Sequence, residues 1–252
     1  MKYKIIIAYD GTDYSGWQKQ KEKLTVAQVL EDTFATVFHR NIKLFGVSRT
    51  DAGVHALGQV ATFQTDLHIE PKRMMYGWNN MLPESVVIQS IEFASEHFHL
   101  HGSVIEKTYW YHFFLNRPLP FASRYGWLYR SSVDLKKLQQ CLDVCIGTHD
   151  FVAFSTGDDR GDDTIRTINS AKVEYIKMYD VYRIEIVGPK FLHHMIRRMA
   201  GACLTVASDD ALTVDTIAQV LQAKNRNHAL INAPAKGLML YKVRYKDETD
   251  HE

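Results

Sequence analysis

Apolar positions along the chain recur with two periods, and the switches between them mark where strands give way to helices. Residues 2–9 alternate, with Tyr3, Ile5 and Ile7 on one face and Lys2 and Lys4 on the other, which predicts a half-buried strand. Residues 25–38 form the clearest helix. Thr25 and Gln28 make a capping-box pattern, and Val26, Val29, Leu30, Thr33, Phe34, Val37 and Phe38 make one apolar stripe facing a core. A strand is predicted over 42–47, then a loop of small residues, then an alternating strand over 59–65. Pro71 opens a helix to about residue 80, since its fixed φ and missing N–H suit a first turn. Segments 86–93 and 108–115 read as strands.

The second half repeats this rhythm loosely. Asp134 caps a helix with Leu135, Leu138, Leu142 and Cys145 on one face, ended by Gly147. Strands over 164–175 and 181–187 are joined at Met178-Tyr179-Asp180, and helices over 191–207 and 213–223 follow. Leu238–Tyr245 is the last strand. Helices with neighbouring antiparallel strands in two similar halves, 1–116 and 117–252, predict an α+β fold with one mixed sheet. Periodicity alone admits two separate sandwiches equally well.

With 252 residues, 46% hydrophobic and 23% charged, the chain has material for one large core or two small ones. Its three cysteines are too few for a disulfide framework, and Cys141 and Cys145 lack zinc-knuckle spacing, so reduced thiols of a cytosolic protein are expected. The first apolar run ends at Asp10, too early for a signal peptide, and no stretch is long enough to span a membrane. Net charge is only +1, but it is unevenly spread. Between His97 and Val133 one acid, Glu106, faces Lys107, Arg117, Arg124 and Arg130, among Tyr109, Trp110, Tyr111, Phe113, Phe114, Tyr125, Trp127 and Tyr129. Residues 188–208 hold Lys190, Arg197 and Arg198 and no acid. Basic patches interleaved with aromatics suit an RNA surface, and Asp158, Asp159, Asp162 and Asp163 offset them in the total.

Chemistry concentrates in the loop Ser48-Arg49-Thr50-Asp51-Ala52-Gly53-Val54-His55-Ala56, where small residues allow a tight turn and one carboxylate lies two residues from a fixed cation. A lone loop aspartate is by default a cap or an Asx-turn. The whole string, however, resembles the active-site loop of the tRNA pseudouridine synthase A family, as does Tyr9-Asp10-Gly11-Thr12 through Tyr14, Gly16, Trp17 and Gln18. Lys107-Thr108-Tyr109-Trp110-Tyr111, Phe191-Leu192 through Met195-Ile196-Arg197, and Gly237-Leu238-Met239-Leu240 extend the likeness over nearly the full chain.

The resemblance implies two ferredoxin-like halves sharing a central antiparallel sheet, with the cleft between them. It implies isomerisation of uridine to pseudouridine in the anticodon stem-loop of tRNA, at positions 38 to 40, by a homodimer. That reaction breaks the N1 glycosidic bond and rejoins the sugar at C5, so it needs no cofactor and no metal. Asp51 is the catalytic carboxylate on this reading, and Arg197 its salt-bridge partner. Desolvation in a closed site favours a neutral acid, and a neighbouring cation reverses that. Arg49 resembles the arginine that fills the space left by an extruded uridine, a role suited to a planar guanidinium. Tyr109 resembles the tyrosine lying on the target base, although alternating aromatics in a strand are more often core. Gln18, His55 and Arg198 complete the substrate-binding set. A turn or cap role is the expectation for Asp150.

His97, His99 and His101 alternate, which on a strand would direct three imidazoles to one face as zinc ligands, though a solvated face is the commoner outcome. His193 and His194 stand four before Arg197 and Arg198, one helical turn away, and read as helix-surface packing and phosphate contact. Three positions depart from the family pattern: Ser48 for glycine, Ala27 for glutamine, His101 for arginine. Two other readings compete, a non-catalytic RNA-binding or folding factor and a carboxylate-dependent glycosidase. The glycosidase requires a second acid, and none stands beside Asp51 in the sequence.

Overall fold

A computed structural model describes residues 1–95, 97–156, 163–227 and 230–246. The elements begin β1 (Lys2–Tyr9), α1 (Val26–Phe38), β2 (Phe45–Gly46), β3 (His55–Gln64), α2 (Pro71–Asn79), β4 (Val86–Phe93) and β5 (Val104–Phe114). They continue β6 (Trp127–Leu128), α3 (Leu135–Val144), β7 (Gly147–Asp150), β8 (Ile165–Ile168), β9 (Ser170–Ile176) and β10 (Val181–Gly188). The last are α4 (Met195–Ala207), α5 (Asp215–Ala223) and β11 (Leu238–Tyr245). The fold is α+β, and among the described residues no helix is long and apolar enough to cross a membrane. Of the acidic run at 158–163, only Asp163 falls within the described residues.

The chain forms two compact units, one holding Met1–Ile105 and the chain from Met239, the other Glu106–Leu238. The passage between them falls inside β5, ahead of the 116/117 division drawn from the sequence, and β11 belongs almost wholly to the first unit.

In the first unit β1 lies antiparallel between β3 and β4, β2 pairs antiparallel with β3, and β11 runs parallel to β3. The sheet is therefore mixed, not wholly antiparallel. Its core is aromatic: Phe63 stacks on Tyr3 at 5.1 Å and meets the edges of Phe34 and Trp78 at 5.5 and 5.6 Å. The apolar stripe of α1 supplies Leu30 and Phe34, and Leu30 O accepts the Trp78 indole N–H at 3.1 Å. Pro71 opens α2 as expected, with the Glu70 carboxylate accepting from Arg73 N. Lys4 departs from the alternation. It is buried because its ammonium sits 3.1 Å from Glu92 and over the rings of Phe98 and Tyr245.

In the second unit β10 pairs antiparallel with β5 and β9, β6 pairs parallel with β5, and β7 pairs antiparallel with β8. The strand expected over 164–175 is broken at Asn169. Before it, β8 pairs with β7; after it, β9 pairs with β10. Asn169 N donates to Val187 O while its side chain reaches Glu106. Asp150, at the end of β7, accepts from Val152 N and from Thr164 Oγ1, and pairs with Lys224 at 2.9 Å. Burial pushes its carboxyl upward, but these three partners outweigh burial and hold it below the ordinary range. Cys141, Cys145 and Cys203 are free, buried thiols in the core beneath α3 and α4.

Three other expectations shift. The strand over 42–47 shrinks to two residues, because Leu44 N is taken by the Glu31 carboxylate at 2.8 Å and Ser48 N by the Gln59 side chain. The helix over 191–207 begins only at Met195, since His194 has φ +59°, a left-handed conformation no α-helix continues through. His97, His99 and His101 lie in turns before β5, not on a strand, so alternation does not give them a common face.

Two tests follow from packing. A Cβ on Gly46 would lie 2.4 Å from the buried Trp17 indole, so Gly46→Ala should lower the urea unfolding free energy by about 1–3 kcal/mol. Burial, reinforced by the Lys190 charge, lowers Lys107 from 10.5 to about 8. Its folded pKa lies below its unfolded one, so between these values the unfolded chain binds more protons and stability rises with pH. Lys107→Met should therefore be more stable than the parent at pH 7, by on the order of 1–3 kcal/mol. That gain should fade in urea titrations as pH rises through 8 toward 10.5.

Candidate active site

The Asp51 loop enters from β2 and leaves into β3, which begins at His55, four residues earlier than the sequence pattern places it. Its upstream end is fixed by a buried amide. Gln59 Nε2 donates to Ser48 O at 2.6 Å, and Gln59 Oε1 accepts from Ser48 N at 3.3 Å. One side chain thereby satisfies both backbone groups of a buried loop residue, which would otherwise be left unpaired at a cost of ~1–3 kcal/mol each. Ser48, in place of glycine, is accommodated at 6% exposure.

The middle of the loop is held against the segment 10–18. Thr50 Oγ1 meets Tyr9 OH at 2.6 Å, and Thr50 O accepts from Trp17 N at 3.1 Å. Gly53 N donates to Tyr14 O at 3.2 Å, and Val54 N to Asp51 O at 3.1 Å, closing the turn that carries the carboxylate. Gly16, at φ +91°, permits this approach: a Cβ there would lie 2.5 Å from Thr50 O. The same segment caps α1, because Val26 N donates to Gly16 O and Ala27 N to Trp17 O, each at 3.1 Å. Ala27 therefore contributes its backbone N–H to this cap, and its side chain is buried.

Asp51 is half-buried, whereas Arg49 and Gln18 are exposed. No hydrogen bond or ion pair holds the Arg49 side chain among the described residues. His55 is placed differently from a solvent-facing substrate contact. It is 1% exposed, with Nδ1 3.1 Å from Gly11 N and 3.1 Å from the Asp10 carboxylate. Pattern reading missed Gln59, Tyr9, Thr50 and Asp10 as supports of this loop. The sequence pattern put Gln59 at the first position of its strand, and only the structure, with β3 starting at His55, sets it mid-strand.

The second unit carries the remaining residues. Tyr109 pairs in register with Ile186, is nearly buried, and meets the edge of Phe191 at 5.2 Å. Tyr111, on the same strand face, is fully buried and donates to Pro234 O at 3.0 Å. Burial raises its phenol far above the ordinary range, and the Arg197 charge offsets part of the rise. Arg197 is bonded to one strap through both side chain and backbone: Nε donates to Ala233 O at 2.9 Å, and its own carbonyl accepts from Ala233 N at 3.2 Å. Gly201 lets that strap lie on α4, since a Cβ would meet Ile231 O at 2.0 Å. Arg198 donates to Arg226 O, and burial together with the Arg226 charge lowers its guanidinium. His193 and His194 precede α4 instead of lining it; their rings stack at 3.9 Å and both reach Thr156.

The sequence of residues 5–100 and 144–246 matches a family described as tRNA pseudouridine synthase. Among similar curated proteins, tRNA pseudouridine synthase A 1 of Protochlamydia amoebophila is 36% identical over 98% of this chain and 97% of its own length. The tRNA pseudouridine synthase A of a Thermoanaerobacter species is 36% identical over 96% of this chain and 98% of its own. That of Bdellovibrio bacteriovorus is 37% identical over 99% and 97%. The relatives' matches run nearly end to end through both units, and the family match takes in the Asp51 loop of the first and the Arg197 helix of the second, so the chain belongs to the tRNA pseudouridine synthase family.

Proposed function

We propose that this protein isomerises uridine to pseudouridine in the anticodon stem-loop of tRNA, with Asp51 as the acting carboxylate. The observation that carries the reading is the fixation of Asp51. Its loop is bonded on both sides to buried side chains and backbone, so the carboxylate is presented at a set place at no ordering cost during reaction. Three roles for such an anion, attack on the sugar carbon, addition to the base, or removal of a sugar proton, all require it ionised. In each the N1–C1′ bond breaks and C5 bonds C1′. The C5 proton then leaves and N1 gains one, so atoms and charge balance without an outside reactant, cofactor or metal.

The other residues take the roles that the family resemblance gives them. Arg197 is the cation that keeps Asp51 charged, and its own position is set by the Ala233 strap. Arg49, exposed and unheld, fills the stack vacated by the extruded uridine, which offsets an unstacking cost of a few kcal/mol. Tyr109 lies against the base, with Phe191 bracing its ring edge-on. Gln18 and Arg198 contact the RNA. The same reading includes two ferredoxin-like halves, a homodimer that offers a large RNA a second surface, and a cytoplasmic location.

Tritium release from tRNA carrying 5-tritiated uridine tests the proposal. Asp51→Asn should lower release by at least about 1,000-fold, or ~4 kcal/mol in barrier, while tRNA binding persists. Equal release by the variant would remove Asp51 from the chemistry. Tight binding by the parent with no release would favour the non-catalytic RNA-binding reading, and free uracil among the products would favour a glycosidase.

A further inference from the structure

The Asp51 loop is anchored upstream by Gln59, and at its downstream end the anchor is an imidazole. His55 Nδ1 lies 3.1 Å from two groups with opposite demands, the Gly11 N–H and the Asp10 carboxylate. A donor at Gly11 requires a lone pair on Nδ1, whereas an ion pair with Asp10 requires a proton there. One nitrogen cannot meet both. The Gly11 N–H is fixed by the backbone and has no freedom to turn aside. Asp10 Oδ1 already accepts from Thr12 N at 3.0 Å and from Thr12 Oγ1 at 2.5 Å. Its own N–H is tied to Ser85 O at 2.9 Å. The carboxylate is thus satisfied without the ring, and the amide is the group that needs it.

The consequence for the loop is steric as well as electrostatic. Gly11 lies so close to the end of the Asp51 turn that a Cβ on it would come within 2.0 Å of Val54 O. Val54 N closes that turn on Asp51 O. The imidazole therefore clasps the 10–18 segment to the loop one residue beyond the turn that aims the carboxylate. We propose that His55 is a positioning residue for Asp51, acting as a neutral ring whose unprotonated Nδ1 accepts the Gly11 N–H, and that it does not itself contact the RNA. This rests on the reading of Asp51 as the acting carboxylate.

Two measurements decide it. Side-chain 15N NMR of the parent protein near neutral pH should show His55 Nδ1 as an unprotonated ring nitrogen; a protonated Nδ1 would overturn the proposal whatever the activity proves to be. Kinetics then separate acceptor geometry from bulk. In His55→Asn the side-chain oxygen sits where Nδ1 does, one bond from Cγ, and turnover should stay within about 5-fold of the parent. His55→Leu, similar in bulk with no acceptor, should lose about 100-fold in kcat with KM for tRNA little changed. Equal damage by both variants at equal fold content would refute the acceptor role, as would a weakened KM with unchanged kcat. Should His55→Leu fail to fold, amide exchange at Gly11 in the parent and in His55→Asn replaces it. Protection in both is expected, and protection lost in a fully active His55→Asn would overturn the clasp. A parent with no isomerase activity refutes the reading of Asp51 and leaves the NMR result to stand or fall separately.

Discussion

A buried turn must find partners for its own backbone, and the first unit is arranged around meeting that demand for residues 48–55. No helix or sheet ladder serves the peptide groups of residues 48–54, ahead of β3. Buried N–H and C=O groups without partners destabilise by ~1–3 kcal/mol each, so a loop of this kind persists only where side chains or neighbouring loops substitute for a ladder. Gln59 does so for Ser48, Tyr14 and Trp17 do so through their backbones for Gly53 and Thr50, and Tyr9 adds a hydroxyl contact to Thr50. The Asp51 loop is thereby attached to β1, β3 and the entrance of α1 together.

The small residues of the 10–18 segment follow from the same constraint. Its carbonyls complete the first turn of α1, while its amides and carbonyls meet the Asp51 loop. One strip of chain serving two neighbours must lie within peptide contact of both, and at Gly11 and Gly16 that leaves no room for a Cβ. Trp17 is buried in the space that Gly46 leaves open. A helix cap, a loop clasp and an aromatic core contact are consequently one structure.

The second unit solves a related problem by another route. Its strand β5 carries Tyr109 and Tyr111, its helix α4 carries Arg197, and a half-buried guanidinium needs acceptors. The strap at 231–234 provides one through Ala233 O, accepts the Tyr111 hydroxyl at Pro234 O, and lies flat on α4 only because position 201 is glycine. One hydrogen bond of the arginine is thus made to backbone, through Ala233 O.

Local chemistry made much of this legible from the chain. Thr25 and Asp134 as caps, Pro71 at a first turn, the buried stripe of α1 and the bounds of β1, β4 and β11 follow from side-chain period and capping, and these act over a few residues. The nine-residue Asp51 string stood out through its resemblance to a family loop, which is carried by residue type and spacing alone. What lay beyond it was set by groups far apart in sequence. Strand 164–175 breaks at Asn169 because two different partners claim its ends, His194 turns left-handed with no glycine to announce it, and Lys4 is drawn inward by Glu92 and two distant rings. His55 is the sharpest instance. The sequence placed it in the Asp51 loop, but only the approach of Gly11, 44 residues earlier, shows its ring buried within the scaffold. Residue type and spacing determine which groups are present and what each can do; which proton or lone pair each must share is decided by neighbours that tertiary packing brings to it.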